Sequence, residues 1–177
     1  DLNSSATISF IDNSVLTLGG DSEFTIEKFD NISENPLFIL SIAKGKFTFE
    51  SGTIAKNKKD IMKIKLSEME INLKGTLVAG SNSTESKQIS LVEDSMGKVG
   101  TLDVTLDGNT TTLTEPSAGI NFSENNEIQN TTLSEEETNQ IKTLTKEIAI
   151  NSATQSAEKI DRAITKQLAS GTIPDAN

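Results

Sequence analysis

The sequence predicts a mainly β domain, built as a sandwich or a solenoid-like stack of short strands, with a C-terminal α-helical extension. Three observations carry that prediction. From Ala6 to Phe122, apolar and polar residues alternate in short runs with a period of two. Gly, Asn, Asp and Ser punctuate these runs at spacings of roughly 8 to 12 residues, the pattern of an all-β sandwich, barrel or meander. After Pro116 the texture changes, and beyond Ser134 apolar residues recur every three to five positions, as on one face of a helix.

Taken in order, "ATISFID" places Ile8 and Phe10 on one face and ends at the Asn13-Ser14 turn. "VLTLGGDS" sets Leu16 and Leu18 in phase and breaks at Gly19-Gly20, and "EFTIEKF" sets Phe24, Ile26 and Lys28 on one face. "PLFILSIAKGKFTFESG" is the most apolar stretch and is expected to form the central strand pair of the core, broken near Gly45. In "DIMKIKLSEMEINLKGTLVAG", Met62, Ile64 and Leu66 oppose Ile61, Lys63 and Lys65. Met69, Ile71 and Leu73 then follow in a new phase, which predicts a bulge or turn at Ser67-Glu68. Further strands are expected in "KQISLVED", "GKVGTLDVTL" and "TTTLTEP", with Asp107-Gly108-Asn109 as a hairpin turn. Gly75 in the Lys74-Gly75-Thr76 run is expected to be a structural corner, because glycine permits positive φ where the chain turns between strands.

"NFSENNEIQNTT" is polar and loop-like. Ser134 and Glu137 then form a capping box, with Leu133 as half of a hydrophobic staple and acids in the first turn to complement the helix dipole. Gly171 and Pro174 supply a stop. The expected organisation is a β domain over 1–122, a linker over 123–133, a helix over 134–170 that Asn151-Ser152 could divide into a pair, and a tail over 171–177. Ile141, Leu144, Ile148, Ile160, Ile164 and Leu168 line a narrow apolar stripe on this helix. Two uses of the stripe stand side by side, closing over an open face of the β domain or meeting another subunit, and a disordered segment is the third alternative, since isolated helices of Thr-rich composition are marginal.

Composition excludes more than it selects. Twenty-six acidic and 16 basic residues give a net charge of −10, which repels phosphate backbones and argues against nucleic acid as a partner. Arg162 is the single arginine, so bidentate clamps on phosphate or carboxylate are nearly absent. No cysteine and no histidine occur, which removes thiol nucleophiles, disulfides, zinc-thiolate sites and the commonest general base. No run approaches the roughly 20 apolar residues of a membrane helix, so membrane insertion is not expected.

The run "SSATISFIDNSVLTLGGDSEFTIEKF" resembles the FecR-type extracytoplasmic β domain, with its alternating strand, acidic turn and "LTLG" strand. "FILSIAKGKFTFESG", "EINLKGTLVAG" and "ISLVEDSMGKVGTLDV" match the same layout, and the resemblance covers about Ser4 to Ile120. It implies a periplasmic regulator whose β domain receives a contact from an outer-membrane receptor, attached to cytoplasmic and membrane-spanning portions. Two departures stand out. Lys74 occupies a position where the family commonly has Arg, and only "DLN" precedes a segment that family members usually preface with a strand or two. The second departure would leave a sheet edge open to strand addition.

Acids at 21–23 and 92–95 lack the regular spacing of a calcium loop, and "GKVG" at 97–100 lacks the features of a phosphate loop. No catalytic, cofactor-binding or metal-binding residues are therefore assigned, and the chain is not expected to be an enzyme. Six Asn-x-Ser/Thr sequons occur, at Asn3, Asn31, Asn82, Asn109, Asn121 and Asn130; Asn3 and Asn109, each with an acid two residues upstream, are the choices should glycans be present. The expected function is an exported, non-enzymatic structural protein that assembles with copies of itself into an extracellular filament, sheath or surface layer. The alternatives are the periplasmic FecR-type regulator and a module of a large surface adhesin. The expected location is extracellular or on the cell surface, with the periplasm as alternative.

Overall fold

The computed structural model describes residues 4–57, 61–94, 97–123 and 128–143, together with 154, 158 and 162. The chain divides into two compact units, Asp1–Lys142 and Thr143–Asn177. In the second, Thr154, Glu158 and Arg162 are helical, and Arg162 lies 3.8 Å from Glu158 one turn earlier.

Among the described residues the first unit contains twelve strands. They are β1 (Ser5–Ser9), β2 (Val15–Gly19), β3 (Glu23–Asp30), β4 (Leu37–Glu50), β5 (Met62–Leu66), β6 (Met69–Lys74), β7 (Leu77–Asn82), β8 (Ser86–Val92), β9 (Thr101–Leu106), β10 (Asn109–Leu113), β11 (Ala118–Ser123) and β12 (Ile128–Thr132). A short helix, α1 (Ile54–Asn57), precedes β5, and the helical residues 135–143 are α2.

The strands make two sheets that share β4. Its second half pairs with β2 and β7, and that sheet runs β1-β2-β4-β7-β8-β11-β12 with every pair antiparallel. Its first half pairs with β3 and, in parallel, with β5, and the second sheet runs β3-β4-β5-β6-β9-β10. The passage between sheets falls at Gly45, whose φ of +108° is a conformation closed to residues with a side chain. There the carbonyls of Ile42 and Ala43 accept bonds from the Asn82 amide at 2.8 and 3.1 Å, so the bend leaves neither of them unpaired. The sequence reading expected a strand pair in this stretch; the structure has one continuous bent strand, because Gly45 turns it without ending it.

The core lies between the sheets. Phe38 and Phe49, near opposite ends of β4, have ring centroids 5.5 Å apart across it. Leu16, Leu40, Ile42, Ile64, Leu66, Ile71, Leu73, Val78, Ile89 and Leu91 fill the same cluster, each at most 1% exposed. Alternation of buried and half-exposed residues along β5 and β6 follows the period-two reading directly. Ser67, with φ of +54°, forms a tight turn between them, and Asp107 and Gly108, both with positive φ, form the expected hairpin turn.

Two local expectations change. A bulge between Ile26 and Lys28 reverses the phase of β3, so that Lys28 pairs with Ile39 on the outer face and Phe29 faces Phe38 in the core. The "NFSENNEIQNTT" stretch, expected to be loop-like and to run from the end of the β domain into the linker 123–133, holds the end of β11 and all of β12, hydrogen-bonded in register from Ala118↔Thr132 to Phe122↔Ile128. Its polarity misled because β12 is an exposed edge strand with no buried residue to alternate.

Candidate functional site

The registers place the longer connections at one end of the sandwich. In the first sheet Val15 faces Glu50, Glu50 faces Leu77 and Leu77 faces Val92, so the start of β2, the end of β4, the start of β7 and the end of β8 lie in one row. In the second sheet the end of β3 faces the start of β4 at Asp30↔Leu37, and the end of β6 faces the start of β9 at Lys74↔Thr101. The described residues of the connections 10–14, 31–36, 51–57, 75–76, 97–100 and 114–117 therefore gather at this loop end, and the tight turns at Ser67 and at Asp107-Gly108 lie at the opposite end.

A buried polar knot ties three of these connections together. Asp12 and Ser14 are 2% and 0% exposed. The Asp12 carboxylate accepts from the Ser14 amide at 3.1 Å and from the Ser14 hydroxyl at 2.7 Å, while Ser14 Oγ accepts from the Gly52 amide at 3.0 Å. The Thr76 amide donates to Ser51 Oγ at 2.7 Å, and the Ser51 amide returns a bond to the Thr76 carbonyl at 2.9 Å. Gly52 is required by space, since a Cβ there would sit 2.1 Å from the Asp12 carbonyl. This knot joins the β1–β2 turn to the end of β4 and to the β6–β7 corner. Sequence reasoning missed it; the one signal was the run of small polar residues in "IDNS" and "ESG".

Two exposed isoleucines stand on the same end. Ile11 is 80% and Ile32 is 92% exposed. Ile11 follows Phe10 in the turn closed by the Phe10 amide on the Ser14 carbonyl, and Ile32 lies in a turn whose amides at 32 and 33 bond to the Asp30 carboxylate. Those bonds, that from the Ser33 amide first, hold Asp30 below the usual carboxylate pKa. Phe10 and Phe29, next to these turns, have rings 5.4 Å apart, so both isoleucines are carried on the margin of one aromatic cluster.

The outer faces of the two sheets differ in chemistry. The second sheet presents a lattice of paired charges: Lys63 with Glu70 at 2.7 Å, Lys65 with Glu27 at 2.7 Å, and Lys74 with Asp103, whose other oxygen accepts from Thr112. The first sheet presents a row of small residues, one per strand: Thr7, Thr17, Thr48, Ala79, Ser90, Gly119 and Thr131. Among the described residues, four buried side-chain polar atoms lack a partner, and three of them, on Ser90, Asn121 and Thr131, lie on this face around Gly119.

The residues singled out by sequence fall as follows. Gly75 has a φ of +68° between β6 and β7, strands of different sheets, and a Cβ on Gly100 would fall 2.2 Å from its carbonyl. Lys74 beside it pairs with Asp103, so lysine makes an ion pair at this corner. Ile141 is half-buried in α2, while Leu144, Ile148, Ile160, Ile164 and Leu168 lie outside the described residues. Asn109 is exposed at the β9–β10 turn, and Asn3 lies outside the described residues. The sequon at Asn82 is sequestered, its amide already donating to two backbone carbonyls. Among the described residues no cluster of three or more His, Cys, Asp and Glu could hold a metal ion, and no helix is long and apolar enough to cross a membrane.

The family model described as FecR protein matches residues 1–100, and this chain belongs to the FecR family. Two crystal structures of a protein from Parabacteroides distasonis, described as a candidate anti-sigma factor, are similar in fold, with TM-scores of 0.60 and 0.57 at 12% identity. In each case the likeness covers 75% of this chain and 57% of the other, so this chain spans little more than half the length of those proteins. No curated protein matches it in sequence.

Family membership corrects the expected function. The FecR family is regulatory, which favours the signalling alternative over a self-assembling filament, sheath or surface layer. The filament reading rested on an inviting sheet edge and on the helix stripe; most of the stripe lies outside the described residues, and the edges found are poor templates. Of the four edge strands among the described residues, β1, β10 and β12 are five residues long and rich in Ser, Thr or Asn, and β3 is interrupted by bulges.

Proposed function

We propose that this chain is the signal-receiving β domain of a regulatory protein acting outside the cytoplasm, and that it works by protein contact rather than by catalysis. The observation that carries the reading is the FecR match over residues 1–100. The fold it shares with a candidate anti-sigma factor supports it. The proposed contact surface is the loop end, where Ile11 and Ile32 stand in solvent on turns already closed by hydrogen bonds. Turns ordered in advance lose little freedom on binding, which favours recognition there.

The test is an in-frame deletion of the β domain from the native gene, with transcript levels measured before and after envelope stress. A defined set of transcripts is expected to lose its response or to become constitutive. The double variant Ile11→Asp/Ile32→Asp, shown to be folded by circular dichroism, is expected to reproduce the defect. A transcript profile identical to wild type in the deletion strain would refute the regulatory reading.

A further inference from the structure

Leu77 and Val92 are 1% and 0% exposed, yet neither belongs to the core between the sheets. They pair with each other across β7 and β8, while their chain neighbours Val78 and Leu91 point into the core. Side chains alternate along a strand, so Leu77 and Val92 lie on the outer face of the first sheet. An apolar pair buried on an outer face requires a cover.

The start of α2 is tied to the chain beside that pair by three polar contacts. The Leu133 amide donates to the Ser117 carbonyl at 2.9 Å, and the Ser117 amide donates to the carbonyl of Leu91, the residue before Val92. The hydroxyls of Ser117 and Thr138 are 2.9 Å apart, and Thr138 is buried. Lys142 pairs with Glu93, the residue after Val92. Residues 133–142 thus pass beside the end of β8, anchored on both sides of Val92.

We propose that residues 133–142 are a releasable strap that covers Leu77 and Val92 on the outer face of the first sheet. The attachment is suited to release. Its ion pair is about one-third exposed on each side, a setting in which such pairs contribute little. The unpaired atoms of Ser90, Asn121 and Thr131 on the same face show a surface whose polar groups are not matched to a fixed partner, unlike the charge lattice of the second sheet. Release would leave both sheets and the core intact and would expose an apolar pair beside a row of small residues. The inference does not depend on the regulatory reading: the strap can fail while that reading stands.

The absence of native cysteine makes the test direct. Single-cysteine variants Leu77→Cys, Val92→Cys and, as a control in the core, Val78→Cys are reacted with a thiol reagent under native conditions. If the strap opens locally, the Leu77→Cys and Val92→Cys proteins are labelled at least about tenfold faster than the Val78→Cys protein, whose thiol waits for global unfolding. Adding Glu93→Gln to the Leu77→Cys protein, whose thiol is on the neighbouring strand, speeds labelling further, while adding it to the Val78→Cys protein leaves labelling unchanged. Equal rates in all three variants would overturn the proposal, as would faster labelling of both the Leu77→Cys and the Val78→Cys proteins on adding Glu93→Gln.

Discussion

The two outer faces of this sandwich solve the same problem in opposite ways. On the second sheet, lysines on β5 and β6 find carboxylates on β3, β6 and β9, so that face answers its own charges and faces water. On the first sheet, β7, β8, β11 and β12 carry no charge on the outer side, and three polar atoms there lack partners. The first face is built to be covered and the second to be left alone. A sheet face thus reveals its use by whether its polar groups are satisfied among themselves.

The most severe way to break this contrast is to destroy the strand that both faces share. Gly45→Ala forces a side chain into a φ of +108°, with its Cβ 2.1 Å from Ser22 Oγ. A loss of about 3 kcal/mol or more is expected in urea denaturation. Gly119→Ala acts on the first face alone, placing a Cβ 2.4 Å from Ser90 Oγ, and is expected to cost about 1–3 kcal/mol by the same measurement.

Smaller effects sharpen the contrast. Ser90→Ala deletes a buried hydroxyl that has no partner, so stability is expected to stay within about 1 kcal/mol of wild type or to rise. Glu70→Gln on the second face breaks a half-exposed ion pair and is expected to cost less than about 1 kcal/mol. A double-mutant cycle with Lys63→Met should return a favourable coupling on the second face.

Acid should separate the strap from the body of the domain. The Ser134 hydroxyl and amide donate to the Glu137 carboxylate and hold its pKa below the usual value. A pKa depressed on folding gives stability that is present above the unfolded carboxylate value and lost as pH falls through the folded one. The protection factors of the Glu137 and Thr138 amides, taken relative to the intrinsic exchange rate at each pH, are therefore expected to fall below about pH 4, before those of β5. Simultaneous loss of protection in both would show that the strap has no independent equilibrium.

Much of the fold was legible because it rests on short-range rules. Met62 to Leu73 alternates with a period of two, Asp107-Gly108 specifies its turn, and Ser134 with Glu137 specifies a helix start, as the bonds between them show. What escaped depends on partners distant in sequence. Phe29 enters the core only because a bulge opposite Leu40 and Ile39 reverses β3. No residue of "EIQNTT" marks β12 as a strand, since its pairing is specified by β11 rather than by burial. The candidate surface was less legible still. The Asp12 knot joins residues up to 64 positions apart in the chain through hydroxyls and backbone, and nothing in "IDNS" announces Ser51 or Thr76.

Fourteen residues of β4 are stitched to β2 and β7 on one side of Gly45 and to β3 and β5 on the other. Tension applied to one layer reaches the other through that shared ribbon as well as through the β6–β7 corner, and peeling the layers apart means tearing β4 from its neighbours on both sides of the bend. Under a mechanical load the body of the domain should hold and then yield as one piece, and the few bonds at its C-terminal flank would be the first to give.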